Sequence, residues 1–182
     1  MANDHWSQDN YIKTYKFVAN AHRGQLVPDT DIAYIMHLSF VSIEVMAALR
    51  TEPGHDENLA VQCALLHDVI EDTEMTYQHV LKEFGSAVAE GVLALSKDKT
   101  VEKSRQMADS LRRIRQQPPE IWMVKLADRI TNLQAPPSYW TKDKIATYGA
   151  EAREILNALK DASDFLASRL HEKINAYKVY AQ

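Results

Sequence analysis

The sequence predicts an all-α helical bundle, and three observations predict it. Apolar residues recur at three- and four-residue steps over most of the chain. Gly and Pro number only 5 and 6 in 182 residues, so breakers are too sparse to cut the periodic runs short. No segment of comparable length alternates apolar with polar residues as a half-buried strand does. A chain of this length encloses one substantial core and is short for two. We therefore expect one domain over residues 1–182, with helices from about residue 141 closing the bundle.

Each element follows in order. After His37, Leu38, Val41, Ile43, Val45, Met46 and Leu49 mark a helix that ends before the breaker pair Pro53-Gly54. Asp56 or Asn58 then serves as an N-cap for the run LAVQCALLHDVI, which gives out near Asp72-Thr73. Thr76 caps a helix over residues 76–84 that Gly85 stops, and an apolar-periodic run covers 88–95. The charged KDK of residues 97–99 reads as a loop before a helix over 101–117, with Met107, Leu111 and Ile114 on one stripe. Pro118-Pro119 ends that helix and begins the next, because proline is tolerated in a first turn. That next helix carries EIWMVKLADRITNL and closes at Ala135-Pro136-Pro137. From Thr141 on, Ile155, Leu156, Leu159, Ala162, Phe165, Leu166 and Leu170 are spaced for one or two closing helices. No repeat, linker or low-complexity tract interrupts the pattern.

Composition narrows the function classes. The net charge of −4 argues against a nucleic-acid polymer as partner, since backbone binding needs clustered Lys and Arg. A local basic pocket for a small anion remains compatible with that sign. The N-terminal MANDHWSQDN lacks the basic start and apolar stretch of an export signal, and no apolar run is long enough to span a membrane. The single cysteine, Cys63, lies in an apolar run and fits inert core in a reducing, cytoplasmic setting. The sequence sets no oligomeric state.

Chemistry concentrates in C63-A-L-L-H-D-V-I-E-D-T-E-M-T76. On a continuous helix, His67, Asp68, Glu71 and Asp72 fall within a sector of about 140°, with Cys63, Leu65, Leu66, Val69 and Ile70 behind them. Ala60 and Ala64 leave room on the ionisable face one and two turns earlier. Taken alone, such a cluster is a solvated helix end, and His67 a satisfied core histidine. Against that reading, negative charge at a helix C-terminus opposes the macrodipole. Acids this close repel one another unless a cation meets them, and a divalent metal is the economical partner.

In this setting the chain resembles HD-domain phosphohydrolases. More narrowly, it resembles the hydrolase domain of Rel/SpoT proteins and the stand-alone small alarmone hydrolases, which remove the 3′-pyrophosphate of ppGpp. The resemblance runs in order through A21-H-R-G-Q25, Y34-I-M-H37, A64-L-L-H-D-V-I-E-D-T73, F84-G85 and V124-K-L-A-D-R-I-T-N132. It implies one Mn²⁺ held by His37, His67, Asp68 and Asp128, with Glu71 and Asp72 carrying the hydrolytic role and Asn132 touching substrate. Imidazole with carboxylate donors also suits Fe²⁺ or Zn²⁺, and departs from the all-oxygen shell of Mg²⁺ or Ca²⁺. Arg23, Lys97, Lys99 and Lys125 are further candidates to meet the phosphates. His5, His55, His79 and His171 match nothing in the pattern and read as surface residues.

The family stretch Arg-Lys-Ser-Gly-Glu-Pro-Tyr-Ile-x-His-Pro stands here as P28-D-T-D-I-A-Y-I-M-H-L38, and the Arg-Thr after Asn132 has become Gln134-Ala135. The ligand set is intact while the basic recognition residues are replaced. The expected activity is metal-dependent hydrolysis of a nucleotide phosphate or pyrophosphate ester, ppGpp being nearest. The alternatives are a nucleotidase or phosphatase of other base or sugar preference, and a catalytically silent nucleotide sensor.

Overall fold

Helix α1 (Gln8–Ala21) is the one element that the apolar pattern did not mark, because only Thr14 and Val18 along it are buried. Its start is fixed instead by Ser7, whose hydroxyl accepts from the Asn10 amide. The structure, a computed structural model, describes residues 5–182. The first four residues, part of the polar stretch read above for targeting, lie outside the described residues.

The next elements follow the expected punctuation. Helix α2 (Ile35–Leu49) begins just before His37, and α3 (Glu57–Leu66) is capped by the Asp56 carboxylate on the Leu59 amide. The helix expected to run on to Asp72 does not. It breaks at His67-Asp68, where Asp68 takes φ −99°, ψ −3°, and restarts as the single turn α4 (Val69–Asp72). Helix α5 (Tyr77–Phe84) opens on a capping box between Thr76 and His79 and stops at Gly85, whose φ of 85° suits glycine. Helix α6 (Ser86–Leu95) follows.

The helix expected from residue 101 starts later. Asp98 accepts from the Thr100 amide and hydroxyl, which holds residues 98–100 in a turn; a 3₁₀ turn (Lys103–Arg105) then precedes α7 (Gln106–Ile114). Helix α8 (Pro119–Asn132) has proline in its first turn, as expected. Helices α9 (Lys142–Leu159) and α10 (Asp164–Tyr177) make up the final third, joined and followed by short 3₁₀ turns.

Helices α2, α3 and α8 pack on one another at the centre, with α1 against α3, α6 against α3 and α8, and α9 and α10 against α8. Their contact faces are fully buried Leu38, Leu65, Leu66, Met123, Leu126 and Ile130, each contributing roughly 1.5–3 kcal/mol by leaving water. Helix α6 meets α8 closely enough that a Cβ on Gly91 would sit 2.5 Å from Ile121 Cδ1. Among the described residues there is no strand, only one isolated bridge between Leu26 and Ala33 in the α1–α2 loop. Cys63 is buried core, as expected. No described helix is long and apolar enough to cross a membrane.

Candidate metal and active site

The break at His67-Asp68 explains how two adjacent side chains reach one point. On an unbroken helix they would diverge by about 100°. Here His67 Nε2 lies 2.9 Å from Asp68 Oδ2, and His37 Nε2, from the first turn of α2, lies 3.2 Å from His67 Nε2 and 3.6 Å from Asp68 Oδ2. Asp128 of α8 brings Oδ1 to 3.5 Å from His37 and 3.7 Å from His67. The ligand atoms of His37, His67 and Asp128 all lie within 4.8 Å of one another. Asp68 touches both imidazoles from the edge of that trio, and its Oδ2 accepts a 2.6 Å hydrogen bond from the Tyr34 hydroxyl.

This donor set fits a divalent cation. His67 Nδ1 donates to the Ala64 carbonyl at 2.8 Å, which fixes a proton there and makes Nε2 the atom turned toward the cluster. Asp128 is oriented by its own helix: Lys125 Nζ donates to Oδ2 at 2.9 Å and Asn132 Nδ2 to Oδ1 at 2.5 Å. Electrostatics point the same way. Burial alone would lower both histidine pKa values, yet the flanking Asp128 and Asp68 carboxylates hold His37 above the ordinary value and His67 well above it. Burial alone would raise Asp68 and Asp128, yet His67 beside Asp68, and Lys125 and the histidines beside Asp128, hold both well below the usual carboxylate range. Two imidazoles and two carboxylates share a buried point that favours a positive occupant.

The acids that share one face in the sequence part company in the fold. Glu71 Oε2 accepts from the Lys97 amide and Oε1 from Lys97 Nζ, both at 2.9 Å. Asp72 turns toward the α1–α2 loop, where Gln25 Nε2 donates to its Oδ2 at 3.2 Å. Burial, with the Asp68 charge next, raises the Asp72 pKa above the ordinary carboxylate value. The room expected beside Ala60 and Ala64 does not exist, because both are fully buried by neighbouring helices.

A cavity of about 360 Å³ opens beside the cluster. His67, Asp68, Glu71, Asp72, Lys97, Lys125, Asp128 and Asn132 line it. Arg23 does not; it is exposed and donates to Asn20 Oδ1. Lys99 is exposed too and binds the Glu71 carbonyl from outside. Of the four histidines read as surface, His5, His79 and His171 are exposed, while His55 is half-buried against Glu120 at 3.3 Å. The cavity also has walls that the sequence reading missed. Lys103 and Tyr148 carry no local signal, and Arg129 stands inside the KLADR block without an assigned role. Arg129 is buried, its guanidinium 4.1 Å from the Tyr148 ring centre, with Glu151 at 3.7 Å as its ion partner.

The comparisons with known proteins agree with this geometry. The family model described as an HD domain matches residues 14–162. The chain belongs to the HD-domain family. A guanosine-3′,5′-bis(diphosphate) 3′-pyrophosphohydrolase of Mus musculus, MESH1, is 30% identical over 166 residues, which cover 88% of this chain and 90% of that protein. The bifunctional (p)ppGpp synthase/hydrolase SpoT of Escherichia coli is 33% identical over 81% of this chain, a match that spans 21% of SpoT. A solved structure described as a metazoan ortholog of SpoT that hydrolyzes ppGpp superposes with a TM-score of 0.81 at 24% identity, covering 94% of this chain and 97% of that one. That likeness establishes the all-α HD-domain fold.

Proposed function

We propose that this HD-domain protein is a metal-dependent phosphohydrolase acting on a nucleotide pyrophosphate or phosphate ester, with the 3′-pyrophosphate of ppGpp as the nearest substrate. One observation carries the reading: His67, Asp68 and Asp128, backed by the buried His37, line a cavity that also presents Lys97, Lys103, Lys125 and Arg129. Asp68, Glu71, Asp72, Asp128 and Glu151 also line the cavity, so it is the four cations together with a bound divalent ion that would draw an anionic substrate. The domain over 1–182 and a cytoplasmic setting, which the buried lone thiol fits, belong to the same reading.

His37, His67, Asp68 and Asp128 would hold the ion, Mn²⁺ by the resemblance and Fe²⁺ or Zn²⁺ by the same donor chemistry. When bound, it supplies a Lewis acid that polarises a phosphoryl oxygen and makes water a better nucleophile. Asp72 takes the proton of the attacking water at its carboxylate, which its raised pKa makes a stronger base than an ordinary aspartate. Glu71, anchored by Lys97, keeps that lysine beside the cavity, where Nζ can exchange its carboxylate partner for a phosphate oxygen. Asn132 orients Asp128 and can reach substrate with its remaining amide hydrogen.

Of the recognition residues that the resemblance leads one to expect, those at Pro28-Asp29 and at Gln134-Ala135 are replaced, and Asp29 has taken a structural task instead. Where the resemblance leads one to expect a basic residue, Asp29 is present at a φ of 65°, and its carboxylate accepts from the Ser138 amide at 3.0 Å and hydroxyl at 2.9 Å. This ties the α1–α2 loop to the α8–α9 loop and favours a nucleotide of different base or sugar preference as the second reading. Phosphate release from the Mn²⁺-loaded protein, screened over ppGpp, pppGpp, mononucleotides and phosphorylated dinucleotide cofactors, tests both. Turnover that disappears in Asp68→Ala together with bound metal, and is suppressed in Glu71→Ala with metal retained, is expected. Metal-dependent hydrolysis surviving in Asp68→Ala would overturn the reading.

A further inference from the structure

Behind Asp72 lies a polar chain that the hydrolytic reading does not use. Gly24, at a φ of 83°, turns the backbone after α1 so that Gln25 folds back beside His22. His22 Nδ1 lies 2.7 Å from Gln25 Oε1, and Gln25 Nε2 donates on to Asp72 Oδ2 at 3.2 Å. An amide oxygen only accepts, so His22 must carry its proton on Nδ1. The Asp72 carboxylate accepts only and so selects the amide's NH₂ end, while the His22 proton anchors the other end. Without that anchor the Gln25 side chain is held at one end alone, and its NH₂ group is no longer fixed against Asp72.

A packing role alone does not account for this histidine. His22 is 4% exposed, its ring stacks on Tyr34 at 5.3 Å, and its Nε2 is buried with no hydrogen-bond partner. An orphaned buried nitrogen is destabilising, and a phenyl ring would stack without that penalty. The loop is also knitted to the metal side: the Tyr34 amide donates to the Gln25 carbonyl at 2.9 Å, while the Tyr34 hydroxyl holds Asp68.

We propose that His22 and Gln25 are positioning residues for Asp72, the His22 Nδ1–H fixing the Gln25 amide so that its NH₂ group aims the Asp72 carboxylate into the cavity. The proposal rests on Asp72 acting in hydrolysis. His22→Phe keeps the stacked ring and deletes the donor; His22→Asn deletes the ring and keeps a donor near the Nδ1 position. A relay and a packing role therefore predict opposite orders.

In Mn²⁺-loaded protein assayed on ppGpp, His22→Phe should lower kcat by about 10- to 100-fold with KM and metal content unchanged, the scale of a misplaced reacting group. His22→Asn should recover most of that loss. Gln25→Leu should match His22→Phe, and the double variant should be no worse than either single one, because both cut one chain. A kcat loss below about fivefold in His22→Phe or Gln25→Leu, or His22→Asn being the more impaired of the histidine pair, overturns the relay. If His22→Phe does not fold, Gln25→Leu carries the kinetic arm alone. Wild-type-like turnover in Asp72→Asn overturns the catalytic reading of Asp72, and the relay with it. One readout is independent of turnover: ¹⁵N chemical shifts of the His22 ring should report a proton on Nδ1 and none on Nε2. The reverse tautomer overturns the proposal whatever the substrate.

Discussion

Replacing Lys97 by methionine separates its ion pair with Glu71 from the phosphate contact proposed for it. The Nζ group donates to Glu71 Oε1 at 2.9 Å, and the Lys97 amide donates to Oε2 at the same distance. Methionine keeps the amide bond and most of the stem, so Glu71 stays anchored by its second oxygen. The Lys97 side chain is 53% exposed, so the ion pair is screened by water and its loss should cost only about 0.2–1 kcal/mol of stability. A charge-assisted hydrogen bond from Nζ to a substrate phosphate is worth more, about 1.5–3 kcal/mol, or roughly 10- to 150-fold in kcat/KM. Lys97→Met should therefore unfold in urea almost as the wild type does, yet lose at least tenfold in kcat/KM on ppGpp. A stability loss above about 2 kcal/mol with kcat/KM intact would refute the reasoning, because it would make the pair a structural strut.

Further predictions follow from packing and charge. Gly91→Ala places a Cβ 2.5 Å from Ile121 Cδ1 and 3.0 Å from Cys63 Sγ, so overpacking of about 1–3 kcal/mol outweighs a helix-propensity gain of at most about 1 kcal/mol; a raised midpoint in urea would contradict the tight α6–α8 approach. His37 and His67 are held above the ordinary histidine pKa, so in the metal-free protein they stay protonated to higher pH and must release protons to bind a cation. Mn²⁺ affinity measured by calorimetry should weaken as pH falls through that raised range, with up to about two protons released per ion, and a pH-independent affinity would exclude both imidazoles as ligands. In the same metal-free protein, Asp68 and Asp128 have depressed pKa values, so their stabilisation is present above the unfolded carboxylate value and is lost as pH falls through the depressed range. The acid limb of a chemical-unfolding series should flatten in Asp128→Asn; an unchanged limb would contradict the assigned charge.

Helix ends were legible wherever a single residue dictates backbone geometry: Asp56 as N-cap, Gly85 as a stop, Pro119 in a first turn. Helix α1 was not legible because it buries too little to print a stripe. The break at His67-Asp68 was hidden for the opposite reason: Leu65, Leu66 and Val69 keep burying a continuous apolar face across it, so the periodicity runs on while the backbone does not. The convergence of His37, His67, Asp68 and Asp128 was legible only through the family resemblance, because His37 and Asp128 by themselves look like a core histidine and a helix salt-bridge partner. The separation of Glu71 from Asp72 did not, since Lys97 and Gln25 lie 26 and 47 residues away and only the fold brings them in. Arg129 and Tyr148 were hidden likewise, a buried cation and an aromatic ring that look ordinary in sequence.

The central claim is that one cation sits where α2, the α3–α4 break and α8 meet, and metal content measured on wild type against Asp128→Ala tests it most directly. After loading with Mn²⁺ and desalting, the wild type should retain about one ion per chain, and folded Asp128→Ala, its helical circular dichroism intact, should retain almost none. Equal metal content in the two proteins would contradict the account.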